Sequence, residues 1–332
     1  MARTTPTVRA VAAEAGVSIA TVSRVLNDAR HVAPGTREAV RAALDRLAPT
    51  GRDGVPAGRV FLRCPYTLTD YFGLLVSSAA ETLEAEGFEV VLEAGESAQH
   101  RDSLATLATR PRVTGALLLL PPETPEALVA VRRAGLPLVV LDPRTPPPAD
   151  VAAVSAAHLS GARQCTRHLL GLGHRRIALL RGPAGWVASS ERAAGHAAAL
   201  LETGMLPDPA LVRQVEATTA DGQRAGGELL DLPEPPTAVV AFNDKVALGV
   251  LRAAEARGLH VPEQVSVTGF DDIDLARATA PQLTTVRQPL AEMGRIAVGL
   301  LSRLMRGSRV EALHVELATT LLPRGSTGPS PL

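Results

Sequence analysis

Few of the residues on which protein chemistry commonly depends are present in this sequence. It has two cysteines in 332 residues, Cys64 and Cys165. That number and separation give neither a disulfide framework nor a thiolate metal site, and suit a reducing compartment. Lys245 is the only lysine and Trp186 the only tryptophan. The N-terminus lacks the apolar core of a signal peptide, and apolar runs such as Ala116 to Leu120 are far too short to span a bilayer. The expectation is therefore a cytoplasmic protein with no membrane contact. No Ser-His-Asp set, phosphate loop or zinc-ligand spacing stands out, so no enzyme activity, cofactor or metal is expected. His174, in Leu-Gly-His-Arg-Arg, has no recognisable nucleophile or acidic partner nearby in the sequence.

What is present is distributed unevenly. Formal charge is zero overall, yet Met1 to Val60 holds nine arginines against five acids, a surplus of four that the remainder cancels. The basic end also carries Ala15-Gly16-Val17-Ser18-Ile19-Ala20-Thr21-Val22-Ser23-Arg24-Val25-Leu26-Asn27. This reads as the turn and second helix of a helix-turn-helix. Thr7 can cap a short first helix with Val8, Val11 and Ala12 inward, Gly16 permits the sharp turn, and Ser18 can cap the second helix. On that helix Val22, Val25 and Leu26 share one face, which leaves Ile19, Ala20, Ser23 and Arg24 outward. A third helix starts at Pro34-Gly35-Thr36, with Val40, Ala43, Leu44 and Leu47 along one stripe. Arg24 has the fork to read guanine, and Ser18, Thr21 and Ser23 can donate to phosphates. A plain amphipathic helical hairpin would show the same spacing.

The segment Thr7-Val8-Arg9-Ala10-Val11-Ala12, the Ala-Gly-Val-Ser-x-x-Thr-Val-Ser-Arg-Val-Leu-Asn run and Thr36-Arg37-Glu38 resemble the headpiece of the lactose-repressor (LacI) family of bacterial transcription regulators. The resemblance implies a DNA-contact set of Thr7, Ser18, Ile19, Ala20, Thr21, Ser23, Arg24, Asn27 and His31.

From Arg59 onward, short apolar runs alternate with amphipathic helical stretches, the pattern of doubly wound α/β lobes. Strands are expected at 60–62, 89–92, 115–120 and 138–141, with helices at 74–86, 103–109 and 126–134 between them. A second set has helices at 162–172, 191–202 and 245–257 and strands at 177–180, 238–242 and 266–270. Ligands of such sheets bind beyond the carboxyl ends of the strands, in the cleft between lobes. The segments Leu172 to Ala178, Glu191 to Gly195, Ala241 to Asp244, Val261 to Asp272 and Leu283 to Val286 resemble the same family's effector-binding core, which is similar to periplasmic sugar-binding proteins.

That likeness implies a small-molecule effector, commonly a sugar or sugar phosphate and in one branch a purine. It places Arg192, Asn243 and Asp271 on the ligand, with Asp70 and Phe72 on the other lobe. A guanidinium fork, an amide and a carboxylate suit vicinal hydroxyls. Trp186 could stack on a ligand, although Trp186 and Phe72 fit loop or core packing as well. Two departures stand out. The hinge, Ala48 to Arg59, is rich in Gly and Pro and lacks the leucine that relatives wedge into the operator's minor groove. It cannot form a stable helix by itself, which leaves Arg52 and Arg59 to touch phosphates. At Ala157-His158, relatives tend to have Asp-Asn, so one hydroxyl acceptor is lost at the lobe junction.

The expected organisation is an all-α helix-turn-helix headpiece at 1–48 and a hinge at 49–58, followed by a two-lobed, periplasmic-binding-protein-like α/β core at 59–324. Within the core, an N-lobe takes 59–158 and 288–318 and a C-lobe takes 159–287 and 319–324. A flexible tail is expected at 325–332. The function expected is a homodimeric repressor on a pseudo-palindromic operator, tuned by the effector. The alternative is a solute-binding protein without a regulatory role.

Overall fold

A computed structural model of the chain describes residues 8–26, 32–47, 58–95, 98 and 103–331. Thr7, Asn27, His31, Arg52 and all of the expected hinge except Gly58 lie outside the described residues.

The headpiece has helices α1 (Val8–Glu14), α2 (Ile19–Leu26) and α3 (Pro34–Leu47). Gly16 turns the chain at φ +64°, a conformation costly for any residue with a Cβ. The Oγ of Ser18 accepts the Thr21 amide at 3.1 Å, which supplies one of the partners that the first turn of a helix lacks. Val11, Ala12, Val22, Val25, Val40 and Ala43 close a small apolar core.

The remainder runs in chain order β1 (Arg59–Cys64), α4 (Asp70–Ala85), β2 (Glu89–Ala94), α5 (Ser103–Leu107), β3 (Val113–Leu119), α6 (Pro125–Arg133), β4 (Leu138–Leu141) and β5 (Ala152–Ala156). It continues with α7 (His158–Gly171), β6 (Ile177–Arg181), α8 (Val187–Leu201), β7 (Val212–Gln214), α9 (Thr219–Leu230), β8 (Ala238–Val240), α10 (Asp244–Glu255) and β9 (Ser266–Asp271). The last elements are α11 (Asp274–Ala278), β10 (Thr284–Arg287), α12 (Leu290–Met305), β11 (His314–Leu317) and β12 (Thr320–Leu322).

Among the described residues the strands form two sheets of six, ordered β11-β5-β4-β3-β1-β2 and β12-β10-β9-β8-β6-β7. Every pairing is parallel except β10 with β12. The first sheet belongs to the N-lobe and the second to the C-lobe. Both faces of β4 and β8 are buried, as their unbroken apolar runs require. The chain passes between lobes at 156–158, 287–290 and 317–320, so β11 and α12 return to the N-lobe. There Met293, Ala297, Val298 and Leu301 of α12 pack with Leu75, Ala79 and Leu83 of α4 and with the strands.

Two expectations are corrected. Arg59 opens β1, at the expected start of the core, and its Nε pairs with Glu89 at 2.7 Å instead of being left for a phosphate. Residues 325–331 are not a loose tail. Ser326 is fully buried, its backbone carbonyl accepts from the Val267 amide, and its Oγ accepts from Thr284 at 2.8 Å. His174 Nε2 meets the Gly328 carbonyl at 3.0 Å and Ser266 Oγ at 3.1 Å, while its Nδ1 meets Thr237 Oγ1. This buried imidazole is a structural staple that docks the chain end.

Candidate functional site

Each lobe ends one central strand on an aspartate with a left-handed backbone. Asp142 follows β4 at φ +52°, and Asp271 closes β9 at φ +116°. Such conformations cost about 1–3 kcal/mol and are tolerated best by short polar side chains. Both carboxylates are buried at the junction of the lobes. Tyr71, from the first turn of α4, donates to Asp142 Oδ2 at 2.5 Å. His158, the first residue of α7, places Nε2 at 3.2 Å from Asp142 Oδ1.

Arg192 on α8 completes the chain of contacts. Its Nη1 donates to the Phe242 carbonyl at 2.6 Å, and its Nη2 lies 3.3 Å from His158 Nδ1 and 3.5 Å from Asp271 Oδ1. Its guanidinium lies 3.7 Å from the Phe270 ring centroid and 4.6 Å from that of Phe242, a cation–π arrangement on both sides. Gln288, in the second crossover, donates to Asp271 Oδ1 at 2.7 Å. The polar groups therefore run Tyr71, Asp142, His158, Arg192, Asp271, Gln288 from one lobe to the other. Arg192 Nε remains buried without a partner.

Charge follows from these contacts. Burial works against ionising Asp142, but the hydrogen bonds from His158 and Tyr71 outweigh it and hold its carboxyl below the ordinary value. Asp271 lacks that support: burial pushes it up to about 6 despite Arg192. Burial, then the negative charge of Asp142 and Asp271, raises the Tyr71 phenol well above its usual value, so it stays a donor.

Aromatic rings wall the cleft from both lobes. Phe72 stacks on Tyr66 with centroids 4.7 Å apart, Tyr66 meets the edge of Trp186 at 6.0 Å, and Trp186 meets Phe242 at 6.3 Å. The space they enclose is about 80 Å³, far below the ~300–1,000 Å³ typical of ligand clefts, so the lobes stand closed. At the mouth Lys245 Nζ donates to Thr69 Oγ1 at 2.9 Å and lies 3.6 Å from Asp70 across the gap.

The structure thus brings Arg192, Asn243, Asp271, Phe72 and Trp186 to one cavity. Asp70 is not in its lining and faces Lys245 instead. Asn243 spends its side-chain oxygen as the cap of α10, accepting from the Val246 amide at 3.0 Å, which leaves its NH2 for a ligand. Asp142, Tyr71, Phe242 and Lys245 line the cavity and were not singled out from sequence. The rule that looks just past each strand would have found Asp142, directly after the apolar run 138–141.

On the headpiece, Ser18, Ile19, Ala20, Ser23 and Arg24 are exposed and Thr21 is half-exposed, while Val22 and Val25 of α2 are buried. Ile19 keeps 48% of its surface in solvent, a large apolar side chain left uncovered. Ser18 and Thr21 hydroxyls lie 2.9 Å apart.

Comparison with known proteins agrees with this division. Residues 7–48 match the family described as bacterial regulatory proteins, lacI family, and residues 166–327 match the periplasmic binding protein-like domain. The HTH-type transcriptional regulator CelR of Thermobifida fusca is 36% identical, over 98% of this chain and 99% of its own. The HTH-type transcriptional repressor CytR of Escherichia coli K12 is 32% identical, over 98% and 97%. Among solved structures, a CelR–cellobiose complex superposes with a TM-score of 0.75 at 36% identity, covering 97% of this chain and 99% of that one. The lac repressor dimer bound to operator and an anti-inducer gives 0.71 at 28% identity, covering 97% and 99%. With a helix-turn-helix joined to two periplasmic-binding-like lobes and this similarity along nearly its whole length, the chain belongs to the LacI family of DNA-binding transcriptional regulators, which are not enzymes.

Proposed function

We propose that the chain is a cytoplasmic repressor whose homodimer holds two headpieces on a pseudo-palindromic operator, and whose cleft takes a small polyhydroxylated effector, a sugar first among candidates. The observation that carries the effector reading is the cleft itself. A buried guanidinium with an unpartnered Nε sits between two aspartates, under rings supplied by both lobes. Carboxylates and a guanidinium grip hydroxyls, and rings cover the apolar face of a pyranose. The CelR–cellobiose complex supports a sugar as the first probe. Because the closed cavity is far smaller than an ordinary ligand cleft, binding requires the lobes to part, which gives the ligand a preference between lobe arrangements that can reach the headpiece.

Contact with DNA is assigned to α2, with Arg24 reading a base edge and Ser18, Thr21 and Ser23 on phosphates. Dimerisation is assigned to the core, where an open groove between α10 and α11 is lined by Leu248, Leu251, Leu259 and Leu275 together with Arg252, Glu255 and His260. The test is a thermal-shift screen of cellobiose, other sugars and purines on the full chain. A bound effector raises the midpoint, since it stabilises only the folded state. Arg192→Ala and Asp271→Ala should each abolish the shift; shifts that survive both would remove the effector from this cleft.

A further inference from the structure

The geometry around His158 fixes its proton. Arg192 Nη2, 3.3 Å from His158 Nδ1, can only donate. Nδ1 must therefore accept, so the neutral ring carries its hydrogen on Nε2 and donates it to Asp142 Oδ1. We infer that His158, as the neutral Nε2–H tautomer, is a positioning residue that ties Asp142 of the N-lobe to Arg192 of the C-lobe, and that its protonation releases Arg192 and loosens the closed cleft.

A second proton can go only on Nδ1, where it faces the guanidinium. The imidazolium then keeps Asp142, more strongly than before, but exchanges an accepting contact with Arg192 for cation against cation. Arg192 Nη2 retains only Asp271, at 3.5 Å. The charged and titratable groups around His158 are Asp142 after β4, Tyr71 on α4, Arg192 and Glu191 on α8, Asp271 at the end of β9 and Glu316 on β11. Of these, burial lifts the Asp271 carboxyl to about 6, so the test must separate proton uptake there from proton uptake at His158. The regulatory consequence, an effector affinity that depends on pH, rests on the effector reading above; the tautomer and the tie between lobes do not.

Trp186 supplies the readout. It is the only tryptophan, and it touches Tyr66 of the N-lobe and Phe242 of the C-lobe. The experiment titrates the full chain from pH 8 to pH 5. It follows Trp186 emission together with long-range proton–nitrogen spectra of 15N-histidine-labelled protein, in which His158→Asn identifies the signal. The expected result is an Nε2-protonated His158 at neutral pH and an emission step that tracks its titration. That step should be lost in His158→Asn and His158→Gln and kept in Asp271→Asn. An Nδ1-protonated ring at neutral pH, no step in the unsubstituted chain, or a step that survives in both His158 variants overturns the proposal. Where His158→Asn fails to fold, His158→Gln identifies the signal, and the spectra of the unsubstituted chain still decide the tautomer. Cellobiose added to the same samples reads the effector question separately. Its failure to bind would count against that sugar, while the spectra and emission decide the role of His158 by themselves.

Discussion

At the scale of single residues, the cleft is governed by which carboxylates have donors. Asp142 has two, from Tyr71 and His158, and stays ionised; Asp271 has Gln288 and a longer contact to Arg192, and is pushed up from 3.8 to about 6. The folded chain therefore keeps a proton on Asp271 that the unfolded chain has already lost. Stability from this group is complete below about pH 4 and is lost as pH rises through about 6. Asp271→Asn should flatten that part of the profile in urea-unfolding midpoints; an unchanged slope would show that the group does not titrate there. Arg192, Asn243 and Asp271 were legible because the short segments that hold them resemble the family's effector-binding core. Tyr71, Asp142, His158 and Phe242 join them only when the lobes close, and no local pattern carries a contact across 71 residues, as between Tyr71 and Asp142.

At the scale of elements, α2 and the pair α7–α8 make opposite demands on their surfaces. The outer face of α2 is uncovered, so Arg24→Ala should leave folding intact while weakening specific operator binding by about 1–3 kcal/mol if the guanidinium grips a guanine. Fluorescence anisotropy on operator and random duplexes checks it: equal losses on both would make Arg24 a phosphate contact. In α7–α8 there is no spare room. A Cβ on Gly195 would lie 2.2 Å from the Leu159 carbonyl oxygen, which is backbone and cannot step aside. Gly195→Ala should cost about 1–3 kcal/mol through overpacking, visible as a lowered thermal midpoint. Most long apolar or amphipathic elements were readable, although the helices α9 and α12 were not among those expected. The small-residue strand β5 and the three-residue strands β7 and β12 were not, because they are held by their neighbours in the sheet instead of by any periodicity of their own. The docked chain end was missed for the same reason: Gly, Ser and Pro read as loose chain until Ser326 is seen bonded to Val267 and Thr284.

At the scale of the whole molecule, a two-fold operator needs two headpieces held at a fixed spacing. Leu248→Glu would set a charge in the groove between α10 and α11 without touching the cleft. Sedimentation should then show monomers, and operator affinity should fall at least about tenfold, or ~1.4 kcal/mol; a persisting dimer would move the interface elsewhere. The three crossovers between lobes have a consequence for how the protein is made. Neither lobe is a continuous stretch of chain, and α12, which fills the N-lobe core with Met293, Ala297, Val298 and Leu301, follows the entire run from α7 to β10. During synthesis the N-lobe leaves the ribosome with one side of its core bare, and it waits for more than half of the C-lobe to be translated before its own last helix arrives. Any holding factor or aggregation hazard met on the ribosome acts on that half-covered sheet.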